Sequence, residues 1–267
     1  MKFLEITTNV GCPVDCTYCP QETFLVEYGS GKRGKRTLSL TDFDKVLAKL
    51  PNDCEIGFSG FAEPWNNEYC TEMVERASKK FSKITIYTTL VGMTMEDARR
   101  LARLEFKVFC IHLPTTNKTE NIPITEQYLD VLKECVDTIP GITYAVFGPF
   151  PVDVKNIVGD LPATPPEHMV SRCGLVPNCG KNVTINNGPV RCLSVGESEV
   201  LDHNVLLPDG RVVVCCMDFG MKYVLGNLLK QEYESLFVGK VADDIRQGLR
   251  GKSQILCHKC EYGVRNI

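Results

Sequence analysis

The feature that most restricts the fold is a repeated change of period across residues 3–147. Short runs rich in β-branched and aromatic residues alternate with stretches whose apolar residues recur every three or four positions. Phe3–Thr8, Cys54–Phe58, Lys83–Thr88, Phe106–Leu113 and Ile142–Phe147 read as strands. Between them, Phe43, Val46, Leu47 and Leu50 follow a cap at Thr41, and Met73, Val74 and Ala77 share a face of Asn66–Phe81. Thr94, with Asp97 three residues on, caps a helix striped by Ala98, Leu101, Ala102 and Leu104. Tyr128, Leu129, Leu132 and Val136 line one side of Thr125–Thr138. Alternating units of this length predict an α/β fold with a parallel sheet and helices packed outside it.

The pattern ends after Phe150. Residues 149–166 are rich in proline and mark a boundary. We therefore expect one domain over 1–168 and a smaller one over 169–267. In the second, Asn204–Leu207 and Arg211–Cys215 flank Pro208-Asp209-Gly210, a β-hairpin signal, and Tyr233–Leu249 reads as a helix. The N-terminus lacks the apolar core of a signal peptide, and no apolar run is long enough to span a bilayer. The chain reads as cytoplasmic, with no membrane partner. A formal net charge of −3 argues against a nucleic-acid partner.

In such a chain, fourteen cysteines point to metal ligation rather than disulfides. Cys54, Cys70, Cys110 and Cys135 sit in apolar-periodic stretches and read as buried small hydrophobes. The others form two sets. GCPVDCTYCP places Cys12, Cys16 and Cys19 directly after the first strand. Three thiolates on one loop can hold three irons of a cubane cluster and leave the fourth open for a small molecule. A zinc knuckle or an electron-transfer cluster is the alternative.

This C-x3-C-x2-C loop, with Tyr18 before its last cysteine, resembles that of the radical S-adenosylmethionine (SAM) superfamily. GFSGFAEPWNN resembles the GGEP motif of that family, with Gly60, Glu63 and Pro64 matching and Ala62 in place of a glycine. That motif contacts the methionine ammonium, and an alanine there disfavours positive φ. The resemblance implies a partial (β/α)6 barrel, a SAM-binding [4Fe–4S] cluster and a reducing partner such as a flavodoxin or a ferredoxin. Thr88, Thr89 and His112, at the carboxyl ends of the third and fourth strands, fall where such sheets build their sites. A hydrogen-bonded core role suits His112 equally.

The second set resembles the SPASM or shortened Twitch extension, which binds an auxiliary [4Fe–4S] cluster. Cys215 completes G-x4-C with Gly210, Cys257 and Cys260 form C-x2-C, and Cys192 precedes the hairpin. A four-thiolate zinc site is the alternative. Of the adjacent Cys215 and Cys216 only one is expected to ligate, and the spacing selects Cys215. Cys173 and Cys179 stay unassigned. SRCGL at 171–175 resembles an element of the subgroup that contains 2-deoxy-scyllo-inosamine dehydrogenase, which would place Arg172 beside the substrate; a surface salt bridge is the plain alternative. The glycine-rich basic loop Gly29–Arg36 lacks phosphate-cradle spacing and reads as solvated. The combination implies oxidation of a small polar molecule such as a sugar or cyclitol alcohol. The competing readings are maturation of a peptide substrate and a non-catalytic electron-transfer protein.

Overall fold

The computed structural model describes residues 2–29, 35–163, 169–177, 185–196 and 198–266. Cys179, most of the basic loop after Gly29 and the expected domain junction at 168 lie outside them.

The first part runs β1 (Phe3–Ile6), α1 (Gln21–Gly29), α2 (Leu40–Lys49), β2 (Glu55–Phe58), α3 (Cys70–Ser78), β3 (Ile84–Thr88), α4 (Met95–Leu101), β4 (Val108–His112), α5 (Glu126–Thr138), β5 (Ile142–Ala145) and α6 (Val152–Val158). After it come β6 (Val190–Cys192), β7 (His203–Leu206), β8 (Arg211–Val213), β9 (Val224–Asn227), α7 (Lys240–Leu249) and β10 (Gly263–Arg265). One eight-stranded sheet has the order β5-β4-β3-β2-β1-β7-β8-β9, and β10 pairs with β6 in a second. Strands β1 to β5 are parallel in sequence order, as the alternating pattern predicts.

The expected hairpin is β7–β8, but it is not a separate ribbon. β7 lies parallel to β1, from Phe3 opposite His203 to Ile6 opposite Leu206, so the C-terminal region extends the sheet of the first part. The face shared with α1 is closed by Phe24, Phe61, Val205, Val213 and Phe219, with Phe61 and Phe219 centroids 4.2 Å apart.

Side-chain alternation divides the strands cleanly. Leu4, Ile6, Ile56, Phe58, Ile84, Ile86, Phe109 and Ile111 face the helices and form the main core. Phe3, Glu5, Thr85, Tyr87 and His112 face the opposite side, which is left open as a cavity. Cys54, Cys70, Cys110 and Cys135 are buried as expected.

Local differences from the sequence reading have local causes. The cap of α2 is Ser39, whose Oγ accepts the Asp42 N–H at 3.3 Å, rather than Thr41. The stretch from Asn66 becomes helical only at Cys70, because the Asn67 side chain accepts the Tyr69 N–H and its amide reaches Thr8 O and Leu38 O. Tyr233–Leu249 is broken at Gly239, φ +113, into a 3-10 turn over Tyr233–Phe237 and then α7. The helices α1 and α6 show no clear stripe, because the apolar residues of α1 are bunched at Phe24, Leu25, Val26 and Tyr28 and α6 is only seven residues long. No helix among the described residues is long and apolar enough to cross a membrane.

Candidate active site

The loop between β1 and α1 carries Cys12, Cys16 and Cys19. It turns through positive φ at Gly11 and Asp15, and the Cys19 N–H bonds to Cys16 O at 3.0 Å. Thr17 N–H to Thr119 O (2.9 Å) and Asn121 N–H to Val14 O (3.0 Å) strap it to the segment after β4. The three thiols face a cavity of about 880 Å³ at the carboxyl ends of the parallel strands, while Asp15, the carboxylate of that loop, lies exposed outside it. Every site residue singled out from the sequence lines this one cavity: the seven cysteines of both sets, Tyr18, the Gly60–Pro64 loop, Thr88 and Thr89, His112 and Arg172.

The Gly60–Pro64 loop is shaped by two devices. Gly60 has φ +61 and packs on β1; a Cβ there would stand 2.9 Å from Thr7 Cα and closer still to its hydroxyl. Ala62 does not adopt positive φ, so the alanine introduces no backbone strain. The second device is the buried carboxylate of Glu63. Oε1 accepts from Thr88 Oγ1 (2.6 Å) and the Trp65 N–H (3.4 Å), and Oε2 from the Thr89 N–H (2.7 Å) and Thr89 Oγ1 (2.6 Å). Burial raises the pKa of this carboxyl; the four donors oppose that, and the 2.6 Å hydroxyl contacts have the length of charge-assisted bonds. Thr88 and Thr89 therefore hold Glu63, and the carboxylate is fully engaged within the protein.

On the facing wall, the Tyr18 hydroxyl meets Nδ1 of His112 at 3.4 Å, and both rings pack against Phe147. Burial, and second the Arg172 charge, push His112 down to about 4, so at neutral pH the imidazole is neutral. The Arg172 guanidinium lies over Phe219 with Nη1 3.5 Å from Cys216 O, and its Nε is buried without a partner. Burial opposes its charge, but Cys216, Cys19 and Glu5 outweigh that and raise its pKa.

Cys215 and Cys216 point to different neighbours. Cys215 shares its surroundings with Cys257, whereas Cys216 lies against Glu5 and Arg172. Asp218, pushed up to about 6 by burial, accepts the Lys222 and Tyr223 N–H groups and closes the turn after Cys215. His258 orders the C-x2-C loop: Nδ1 accepts the Ile255 N–H at 3.1 Å, which leaves Nε2 to donate to Gly188 O at 3.0 Å. Cys173, Cys260 and Glu261 converge, with their ligand atoms within 4.8 Å of one another.

The donor sets fit iron–sulfur clusters. Both are thiols turned into a shared cavity, and burial pushes them up, Cys19 to about 11 and Cys257 to about 12. Metal cations would supply the charge that stabilises their thiolates.

Glu5 was not singled out from the sequence. It stands at a cavity-facing position of β1, where Oε2 accepts Ser59 Oγ at 2.7 Å and the Gly60 N–H at 3.3 Å. Its one sequence signal is a carboxylate inside FLEI, in a strand that a parallel sheet otherwise buries.

Comparison with known proteins agrees with this architecture. None of the curated protein sequences compared with the chain matches it. Among solved structures, it is similar to BtrN in complex with AdoMet and 2-DOIA, at 19% identity and TM-score 0.63 over 98% of this chain and 93% of that one. It is also similar to Streptococcus suis SuiB bound to precursor peptide SuiA, at 12% identity and TM-score 0.61 over 97% and 69%. A third likeness is to anSMEcpe with bound AdoMet and Cp18Cys peptide, at 14% identity and TM-score 0.53 over 97% and 86%. At these identities the likeness shows the fold. The model of an iron–sulfur cluster-binding domain, SPASM, matches residues 198–261. With the radical SAM model matching residues 6–158, more than half of its length, the chain belongs to the radical SAM superfamily.

Proposed function

We propose that this radical SAM enzyme is an oxidoreductase that converts a carbinol of a small polar molecule, such as a sugar or cyclitol alcohol, to a carbonyl. The observation that carries the reading is that Arg172 and Glu5 line the same cavity as the two thiol sets. In this reading Cys12, Cys16 and Cys19 hold the [4Fe–4S] cluster that binds SAM, and Cys192, Cys215, Cys257 and Cys260 hold the auxiliary [4Fe–4S] cluster. When bound, these cofactors supply removal of the carbinol hydrogen atom and an acceptor for the electron that remains.

The residues of this chain do the rest. Arg172, which lines the cavity, donates to a substrate oxygen. The Glu5 carboxylate, held at Oε2 by Ser59 and Gly60 and facing the cavity, takes the hydroxyl proton as the carbonyl forms. Burial raises its carboxyl, so the anion is a stronger base than an exposed carboxylate. With the Glu63 carboxylate engaged, the methionine ammonium is left to backbone carbonyls of the Gly60–Pro64 loop. Tyr18, Phe147 and His112 form an aromatic wall that excludes water.

The test is product analysis. Reduced enzyme is incubated anaerobically with SAM and a panel of cyclitols, aminocyclitols and sugar alcohols. We expect a product two hydrogens lighter. Glu5→Gln and Arg172→Lys should still release 5′-deoxyadenosine while product falls at least tenfold; wild-type product from Glu5→Gln would refute its role. A second reading, peptide maturation, is favoured by the likeness to SuiB bound to its precursor peptide; cross-linked or epimerised peptide with no active alcohol would establish it.

A further inference from the structure

The turn that carries Arg172 is held in a conformation its residues disfavour. Arg172 and Cys173 are consecutive, neither is glycine, and both have positive φ, +53 and +59. Such a pair persists only where its surroundings over-determine it. Two backbone bonds close the turn, Leu175 N–H to Arg172 O at 3.3 Å and Val176 N–H to Ser171 O at 2.9 Å, and one side chain from outside ties it down. Glu261 Oε1 accepts the Ser171 N–H, and Oε2 accepts the Cys173 N–H at 3.3 Å. Within the turn, Ser171 Oγ accepts the Gly174 N–H at 2.9 Å.

Glu261 directly follows Cys260, and the Cys173 thiol lies within 4.8 Å of the Cys260 sulfur. The Arg172 turn is thus built on the loop that carries Cys257 and Cys260. The guanidinium has no ion pair within 4.0 Å among the described residues. Its contacts at the tip, Cys216 O and Met217 Sδ, are both at 3.5 Å. At its tip Arg172 also packs over the Phe219 ring, and at its backbone end it is held by the turn.

We propose that Glu261 is a positioning residue, through which metal binding at Cys257 and Cys260 sets where Arg172 points. The auxiliary site then organises substrate binding as well as receiving an electron. This rests on the reading that Arg172 faces the substrate, and it can be tested apart from that reading.

The experiment is amide hydrogen exchange of the 169–177 segment, read by mass spectrometry on anaerobically reconstituted protein with iron counted in each sample. Wild-type protein, Glu261→Gln, Glu261→Ala and Cys257→Ser plus Cys260→Ser are compared. We expect exchange at Ser171 and Cys173 to be at least tenfold faster in Glu261→Ala with its iron retained. The double cysteine variant should match it. Glu261→Gln, isosteric but with one acceptor oxygen, should fall between and serves as the deciding arm if Glu261→Ala loses iron. Labelling of Arg172 by phenylglyoxal should rise in the same order. Wild-type exchange in iron-loaded Glu261→Gln, or in the double cysteine variant, would overturn the proposal. If Arg172→Lys forms product normally, the substrate role of Arg172 fails while the exchange result stands.

Discussion

Replacing Glu63 by glutamine tests whether the SAM-side loop is held by a buried anion. The carboxylate accepts four hydrogen bonds, three of them between 2.6 and 2.7 Å. Bonds to a charged acceptor contribute about 1.5–3 kcal/mol and neutral ones about 0.5–1.5, so losing the charge costs about 1 kcal/mol at each of the three short bonds. The amide NH2 must also replace one oxygen, which leaves either the Thr89 or the Trp65 N–H without an acceptor, at about 1–3 kcal/mol. The total is roughly 4–6 kcal/mol, which for a chain of this size corresponds to a melting temperature lower by about 8–24 °C. The assay is thermal unfolding of the anaerobically reconstituted protein, followed by circular dichroism. Glu68→Gln, at an exposed neighbouring position, is the control and should stay within about 0.5 kcal/mol of wild type. A shift below about 2 °C in Glu63→Gln would refute the reading that an ionised Glu63 joins β2 to β3.

Three further outcomes are expected. Anaerobic reconstitution should load about eight irons per chain, with no zinc, as two cubane clusters require; one cluster and one zinc would remove the auxiliary assignment. The triple change of Cys12, Cys16 and Cys19 to alanine should abolish 5′-deoxyadenosine formation under dithionite, and cleavage above a no-protein control would contradict it. His112 titrates near 4 when folded and near 6.5 when unfolded, so the unfolded chain binds the extra proton between those values and stability should fall as pH drops from about 6.5 toward 4. Melting temperatures of His112→Gln should be flatter across that window, and an equal slope in both proteins would contradict the buried neutral imidazole.

Much of this protein is legible in its sequence because the signals are local. Strand and helix periods act over a few residues, so the order of β1 to β5 and the cap at Thr94 follow from residues three or four apart. The spacings of Cys12, Cys16 and Cys19 and of Cys257 and Cys260 are likewise local, whereas Cys192 and Cys215 join the second set only through the family resemblance. The third dimension decided what joins segments far apart in the chain. Nothing near His203 says that β7 will lie along β1, because that pairing depends on burying Val205, Val213 and Phe219 against Phe24 and Phe61. Nothing near Glu63 says that its donors will be Thr88 and Thr89, or near Glu261 that its donors will be Ser171 and Cys173, since those donors lie 25 to 90 residues away. Glu5 became a candidate site residue only when strand alternation turned it into the same cavity as Arg172, and the turn after β8 brought Cys216 there too. A buried polar group must find its partner wherever the fold supplies one, and that requirement acts on the folded chain, not on neighbours in sequence.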